Sequence, residues 1–225
     1  MHSSLEITKA KLESMGYSIK DPWDIVDIFE KMIAQYAGSK YAVAIDNCTD
    51  AIFLCLKYLN ASGDVRIPAK TYVSVPQTII HANCKPIFED REWDGLYKLE
   101  PFPIIDGATR FTRNMYIQDT FHCLSFHIKK ILPIGKGGMI LTNDEVAYKW
   151  FKLARYEGRD ITVPYDEDQI SMLGWNMYMP PEQAARGIEL FLQTGENNKD
   201  CGGSWKYPDV RKYKIFDNNG VQNVN

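Results

Sequence analysis

Apolar residues along this chain change their period repeatedly, and each change marks an element. Between Asp21 and Gly38 they recur at helical spacing, with Ile25, Ile28, Phe29, Met32, Ile33 and Tyr36 on one face. Asp21 can cap this helix, Pro22 takes a first-turn position where a missing N–H is harmless, and Gly38 stops it. A shorter helix over 5–15 precedes it. Tyr41 to Ile45 is an unbroken apolar run that reads as a buried strand, and Asn47-Cys48-Thr49 leads from it into an apolar helix over 50–59, a βα unit. The alternation continues with strands at 65–68, 86–88, 102–106, 122–126 and 139–142 and helices at 73–81, 145–156 and 181–193. The pattern predicts an α/β fold, three layers α/β/α around a mainly parallel sheet. Residues 1–193 form one large domain that opens with the helices of 1–37. The tail 194–225, rich in Asn, Gly, Asp and Lys, reads as loop or an extended arm.

Charge and cysteine usage narrow the function classes. A net charge of −3 with only isolated basic pairs offers no surface for nucleic acid. No segment approaches the ~20 apolar residues of a membrane helix, so no membrane role is expected. The five cysteines are odd in number, scattered and nowhere CxxC, which points to reduced thiols, a cytoplasmic protein and no zinc site.

Four places along the chain carry chemistry. The turn Asn47-Cys48-Thr49-Asp50 stands at a helix N-terminus, where free N–H groups and the helix dipole bind phosphate and the Thr49 hydroxyl can add a bond. The same residues also make an ordinary cap, with Asp50 favourable in the first turn. Asp106 ends an apolar strand, the edge where α/β sheets place ligands, and could hold a pyridinium nitrogen protonated or simply cap a helix. In Ser125-Phe-His-Ile-Lys129-Lys130, a lysine just past a buried strand can be desolvated and made a competent Schiff-base partner, while Ser125 could bind phosphate from the same edge. The alternative is a pair of solvated lysines. Tyr72, beyond another strand, could offer its ring face to a flat heteroaromatic ligand or belong to the core.

The order of these features resembles the DegT/DnrJ/EryC1/StrS aminotransferases, a branch of the fold-type I pyridoxal 5'-phosphate (PLP) enzymes. The matching stretches are Tyr41–Ala51, Ile67–Tyr72, Ile105–Ala108, Leu124–Lys130, Gly137–Asp144, Ala154–Arg159, Gly174–Met179 and Glu182–Ala185; Ser-Phe-His-x-x-Lys with Gly137-Gly138 is the most specific. The resemblance implies a fold-type I large domain with the family's C-terminal small domain largely missing and a short stretch between Asp90 and Pro103. It implies Lys130 as the Schiff-base lysine, with Lys129 the fallback, and Asp106 as the acid on the pyridine nitrogen. By the same resemblance Tyr72 stacks on the ring, and Thr49, the amide of Asp50 and Ser125 form the phosphate cup. Asn176 would reach a neighbouring subunit's cofactor, which implies a homodimer with shared active sites. The implied reaction moves an amino group from an amino acid, typically glutamate, to a keto group of a nucleotide-linked sugar. The alternative is a non-catalytic relative, a binding or regulatory subunit without PLP. A sugar dehydratase of this family would carry histidine in place of Lys130.

Overall fold

Every predicted helix and strand forms, within a few residues of its expected ends, in the computed structural model of the chain, which describes residues 4–216. The helices are α1 (Ser4–Ser14), α2 (Trp23–Ala37), α3 (Cys48–Tyr58), α4 (Ser74–His81), α5 (Glu145–Ala154) and α6 (Pro181–Phe191). The strands are β1 (Tyr41–Ile45), β2 (Gly63–Pro68), β3 (Cys84–Glu89), β4 (Tyr97–Leu99), β5 (Ile104–Asp106), β6 (Phe121–Ser125) and β7 (Gly138–Thr142). The start of α2 is held as its sequence predicts: the Asp21 carboxylate accepts the Trp23 N–H at 2.8 Å.

Five strands form one sheet in the order β1-β7-β6-β5-β4, and β2 and β3 form a parallel pair. Arg66 in β2 and Glu100 just past β4 exchange backbone hydrogen bonds of 2.7 and 3.1 Å, which docks that pair beside β4. The sheet is mixed, where a mainly parallel one was expected. Only β5–β6 runs parallel in it, whereas β4–β5, β6–β7 and β1–β7 are antiparallel. Connection length is the reason. Residues 100–103 are too few for a crossover between β4 and β5, and 126–137 hold no helix to carry the chain across from β6 to β7.

Side chains alternate between the two faces of the sheet and build two cores. Ala42, Ala44, Leu124, Met139 and Leu141 join α2 and α6 on one face, where the Phe29 and Phe126 rings meet at 5.7 Å. Val43, Ile45, Cys123 and Ile140 join α3, α4 and α5 on the other, so the three-layer α/β/α arrangement stands. A buried ionic network ties α2, β1 and α5 together. Glu30 accepts the Ala44 N–H at 2.8 Å and pairs with Arg155 and, at 2.9 Å, with Lys152; Arg155 also donates to the Ala44 carbonyl. Burial pushes the Glu30 carboxyl up, but the two cations and the amide outweigh it and leave Glu30 below its ordinary value.

The segment from Thr194 was expected to be a loop or an extended arm; through Phe216 it packs on the domain. Three 3-10 turns punctuate it, and Ser204, Val210 and Phe216 are buried. Scattered apolar residues in a polar background suffice to seat it. Residues 217–225 of the predicted arm, and residues 1–3 of the N-terminal region, lie outside the described residues.

Candidate active site

β1 is antiparallel to β7 and β7 to β6, so β1, β5 and β6 all point the same way and end at one edge of the sheet. Asp106 is the last residue of β5, Ser125 the last of β6, and α3 begins three residues after Ile45 ends β1. Open α/β sheets place their ligands at this edge. Gly138, opposite Ser125 in the β6–β7 ladder, keeps the start of β7 tight against the α3 N-terminus. A Cβ there would come within 2.4 Å of the Asn47 carbonyl carbon and 2.6 Å of the Cys48 nitrogen.

At the start of α3, Asn47 caps the helix in extended conformation and its Oδ1 accepts the Asp50 N–H at 2.9 Å. The amide predicted for a phosphate is thus taken up by the cap. The Thr49 hydroxyl faces the Ser74 hydroxyl at 2.7 Å, a pair of rotatable donors beside the positive end of the helix. Ser74 was not foreseen, because nothing in the α4 sequence marks its first turn as lying against α3. Asn47 Nδ2 also donates to Asp46 and to Asp50, at 2.8 and 2.6 Å, and Lys136 pairs with Asp46 at 2.9 Å. Burial first, then the Asp46 carboxylate, pushes the Asp50 carboxyl up to about 7. Near neutrality Asp50 is therefore partly neutral, which softens its opposition to an anion at the helix end.

Asp106 is buried. Tyr97 Oη donates to its Oδ2 at 2.7 Å, the Ala108 N–H donates to its Oδ1 at 3.0 Å, and Thr71 Oγ1 lies 2.6 Å from Tyr97 Oη. Each carboxyl oxygen thus keeps a free lone pair. Burial raises the carboxyl above its ordinary value, against the pull of Tyr97, the Ala108 amide and the Lys130 charge. Sequence reasoning missed Tyr97. Its strand is three residues long, too short to show a period, although Tyr97 and Leu99 do alternate with Leu96 and Lys98.

The loop after β6 separates the two lysines. Lys130 N–H closes a turn onto the His127 carbonyl at 2.8 Å, leaving Lys129 exposed and Lys130 half-buried. Lys130 Nζ donates a long hydrogen bond of 3.4 Å to Tyr207 Oη, and its charge acts on both Asp106 and Cys48. Ser125 Oγ accepts the His127 N–H at 3.4 Å. Tyr72 is 60% exposed at the mouth, its ring 6.3 Å from that of Tyr207, which in turn stacks on Trp93 at 5.7 Å. Asp106, Ser125, Lys130, Tyr72 and the α3 N-terminus are therefore brought to one edge of the sheet. Asn176 is not part of it. It bonds Glu157 and lines a separate cleft of about 270 Å³ with Asp46, Lys136, Tyr178 and Gln183.

A model of the DegT/DnrJ/EryC1/StrS aminotransferase family matches residues 12–102 and 107–199. The chain belongs to this family. Among its curated relatives, the spore coat polysaccharide biosynthesis protein SpsC of Bacillus subtilis is 26% identical over 218 residues, covering 77% of this chain and 52% of SpsC. GDP-perosamine synthase of Caulobacter vibrioides is 27% identical, covering 75% of this chain and 57% of the relative. The solved structure of AtS13 from Actinomadura melliaura superposes with a TM-score of 0.69 at 17% identity, covering 84% of this chain and 64% of AtS13, a likeness of fold. The chain spans about half the length of the curated relatives it matches. The family stretches read in the sequence coincide with the structural edge: the Ser-Phe-His-x-x-Lys run leaves β6, and Asp106 closes β5. Among the described residues, no helix is long and apolar enough to cross a membrane.

Proposed function

We propose that this chain acts as a PLP-dependent aminotransferase that moves an amino group from an amino acid, glutamate in the first instance, to a keto group of a nucleotide-linked sugar. The observation that carries this reading is one half-buried amine, Lys130, whose charge acts on one buried carboxyl, Asp106, at the sheet edge beside a helix N-terminus. The donor set fits the cofactor: an amine for its aldehyde, a carboxyl with free lone pairs for its ring nitrogen, and hydroxyls at a helix end for its phosphate. The names of the relatives, a polysaccharide biosynthesis protein and GDP-perosamine synthase, support a sugar acceptor.

PLP, when bound, supplies an electron sink for the carbon that loses its proton. The protein's own groups do the rest. Asp106 would hold a proton on the ring nitrogen; Tyr97 and the Ala108 amide orient its carboxyl, and burial keeps water from competing for it. Lys130 Nζ would anchor the cofactor and, once released, take the proton from the donor's Cα and return it as general base and acid. Thr49, Ser74 and Ser125 would bind phosphate, the Asp50 amide joining only if Asn47 lets go of it. Tyr72 would cover the ring face at the mouth of the cleft. In a homodimer with shared active sites, Asn176 would serve the other copy's cofactor from its separate cleft. Five free thiols fit a reducing compartment such as the cytoplasm.

An absorbance scan of the purified protein with added PLP tests the reading. The expected result is a visible band, abolished by borohydride and absent in Lys130→Ala but kept in Lys129→Ala. A protein that stays colourless supports the non-catalytic alternative.

A further inference from the structure

The C-terminal strap delivers a tyrosine to the amine on which the proposed chemistry depends. The strap is fixed on both sides of that residue. Cys201 N–H donates to the Thr109 carbonyl at 2.9 Å, Thr109 Oγ1 to the Gly202 carbonyl at 2.7 Å, and Ser204 N–H to the Trp93 carbonyl at 2.9 Å. On the far side, Val210 N–H donates to the Ala69 carbonyl at 2.9 Å, and Asp209 bridges to Lys70. Gly203 allows the close approach, since a Cβ there would lie 2.6 Å from the Trp93 carbonyl oxygen. Between these anchors the Tyr207 ring stacks on Trp93 with 20° between planes, turns toward Tyr72, and meets Lys130 Nζ with its hydroxyl at 3.4 Å. Burial and then the charge of Asp106 push the Tyr207 phenol up, which places it in the field of the acid as well as of the amine.

We propose that Tyr207 is a gate on Lys130: its side chain, stacked on Trp93, stands against the amine and turns aside, with the strap still docked, before an aldehyde-bearing aromatic ring can bond to Nζ. The gate rests on the reading of Lys130 as the cofactor lysine. In the bonding step Nζ adds to the aldehyde carbon, the C=O bond gives way to C=N, and the oxygen leaves as water with two hydrogens from the amine. Nζ needs an open approach for this, and the Tyr207 side chain stands in its way. The strap's several anchors make it the fixed element, and the side chain, held by a ring stack, an edge contact with Tyr72 and one long hydrogen bond, the part that moves. Losing contacts of that kind changes a rate by roughly three- to tenfold.

The test is competitive acetylation of the full chain stripped of cofactor, with acetic anhydride at fixed pH and peptide mapping, using exposed Lys129 as internal reference. Tyr207→Ala is expected to raise the Lys130-to-Lys129 labelling ratio by roughly three- to tenfold, and Tyr207→Phe, which keeps the ring and loses the hydroxyl, by less. Unchanged ratios in both variants overturn the gate. Where Tyr207→Ala fails to fold, Tyr207→Leu, which removes the ring and keeps an apolar side chain, decides. PLP added to each protein separates the two ideas. A raised ratio with no visible band in any variant keeps the gate and removes the cofactor reading. A band that grows equally fast in wild type and Tyr207→Ala, with equal ratios, removes the gate and keeps the cofactor reading.

Discussion

His122, the second residue of β6, is fully buried, and neither ring nitrogen has a hydrogen-bond partner. The glycine beside Asp106 makes room for it: a Cβ at Gly107 would lie 2.3 Å from Nε2. Burial first, and the Arg110 charge second, draw the imidazole from its ordinary 6.5 down to about 3. The unfolded chain therefore binds a proton that the folded chain refuses, and stability is lost as pH falls below 6.5. At pH 5 the gap is 1.5 units, which costs about 2 kcal/mol against almost nothing at pH 7. For a chain of 225 residues that is roughly 4–8 °C in Tm. The perturbation is His122→Phe, a ring of similar shape that cannot titrate. The assay is urea unfolding of both proteins at pH 7, 6 and 5. Any packing difference offsets the two curves equally, so the slope alone carries the answer. Wild type is expected to lose about 2 kcal/mol more than the variant between pH 7 and 5. Parallel curves would mean that the imidazole finds a partner or water when it is protonated, contrary to its burial without partners.

Two further expectations concern buried charge. Glu30→Gln keeps an acceptor for the Ala44 amide but leaves Arg155, 3% exposed, without its carboxylate, so urea unfolding should show a loss of about 3 kcal/mol. Asp106 has the opposite sign. Its carboxyl is raised by burial, so folding favours the neutral acid, and stability falls as pH climbs from the ordinary carboxyl value through the raised one. Asp106→Asn in the cofactor-free protein should hold its stability across that window, and an equal decline in both proteins would contradict the assignment.

The fold was legible wherever an apolar run was long enough to show its period. The stripe from Ile25 to Tyr36 and the run from Tyr41 to Ile45 became α2 and β1 because burial on one face or both is what those patterns encode. Strand direction was not legible. It follows from whether a connection is long enough to cross the sheet, and the hairpin at 100–103 became visible only once β4 was known. The site divides the same way. Asp106 and Ser125 could be named because each ends an apolar strand, and Lys130 because it lies shortly past one. Tyr97, Ser74, Trp93 and Tyr207 reach the cleft through tertiary packing, which no local spacing records. Tyr207 belongs to a tail whose composition reads as loop, yet Val210 and Phe216 are buried and fasten it to the domain.

On the proposed reading, one lysine of an adjacent pair carries the chemistry, because the turn after β6 draws it inward and leaves its neighbour outside. Incubation with PLP, reduction with borohydride and peptide mapping by mass spectrometry test this at the atom concerned. The prediction is a phosphopyridoxyl group on Lys130 and none above background on Lys129. Label on Lys129, or spread evenly over the surface lysines, would contradict it.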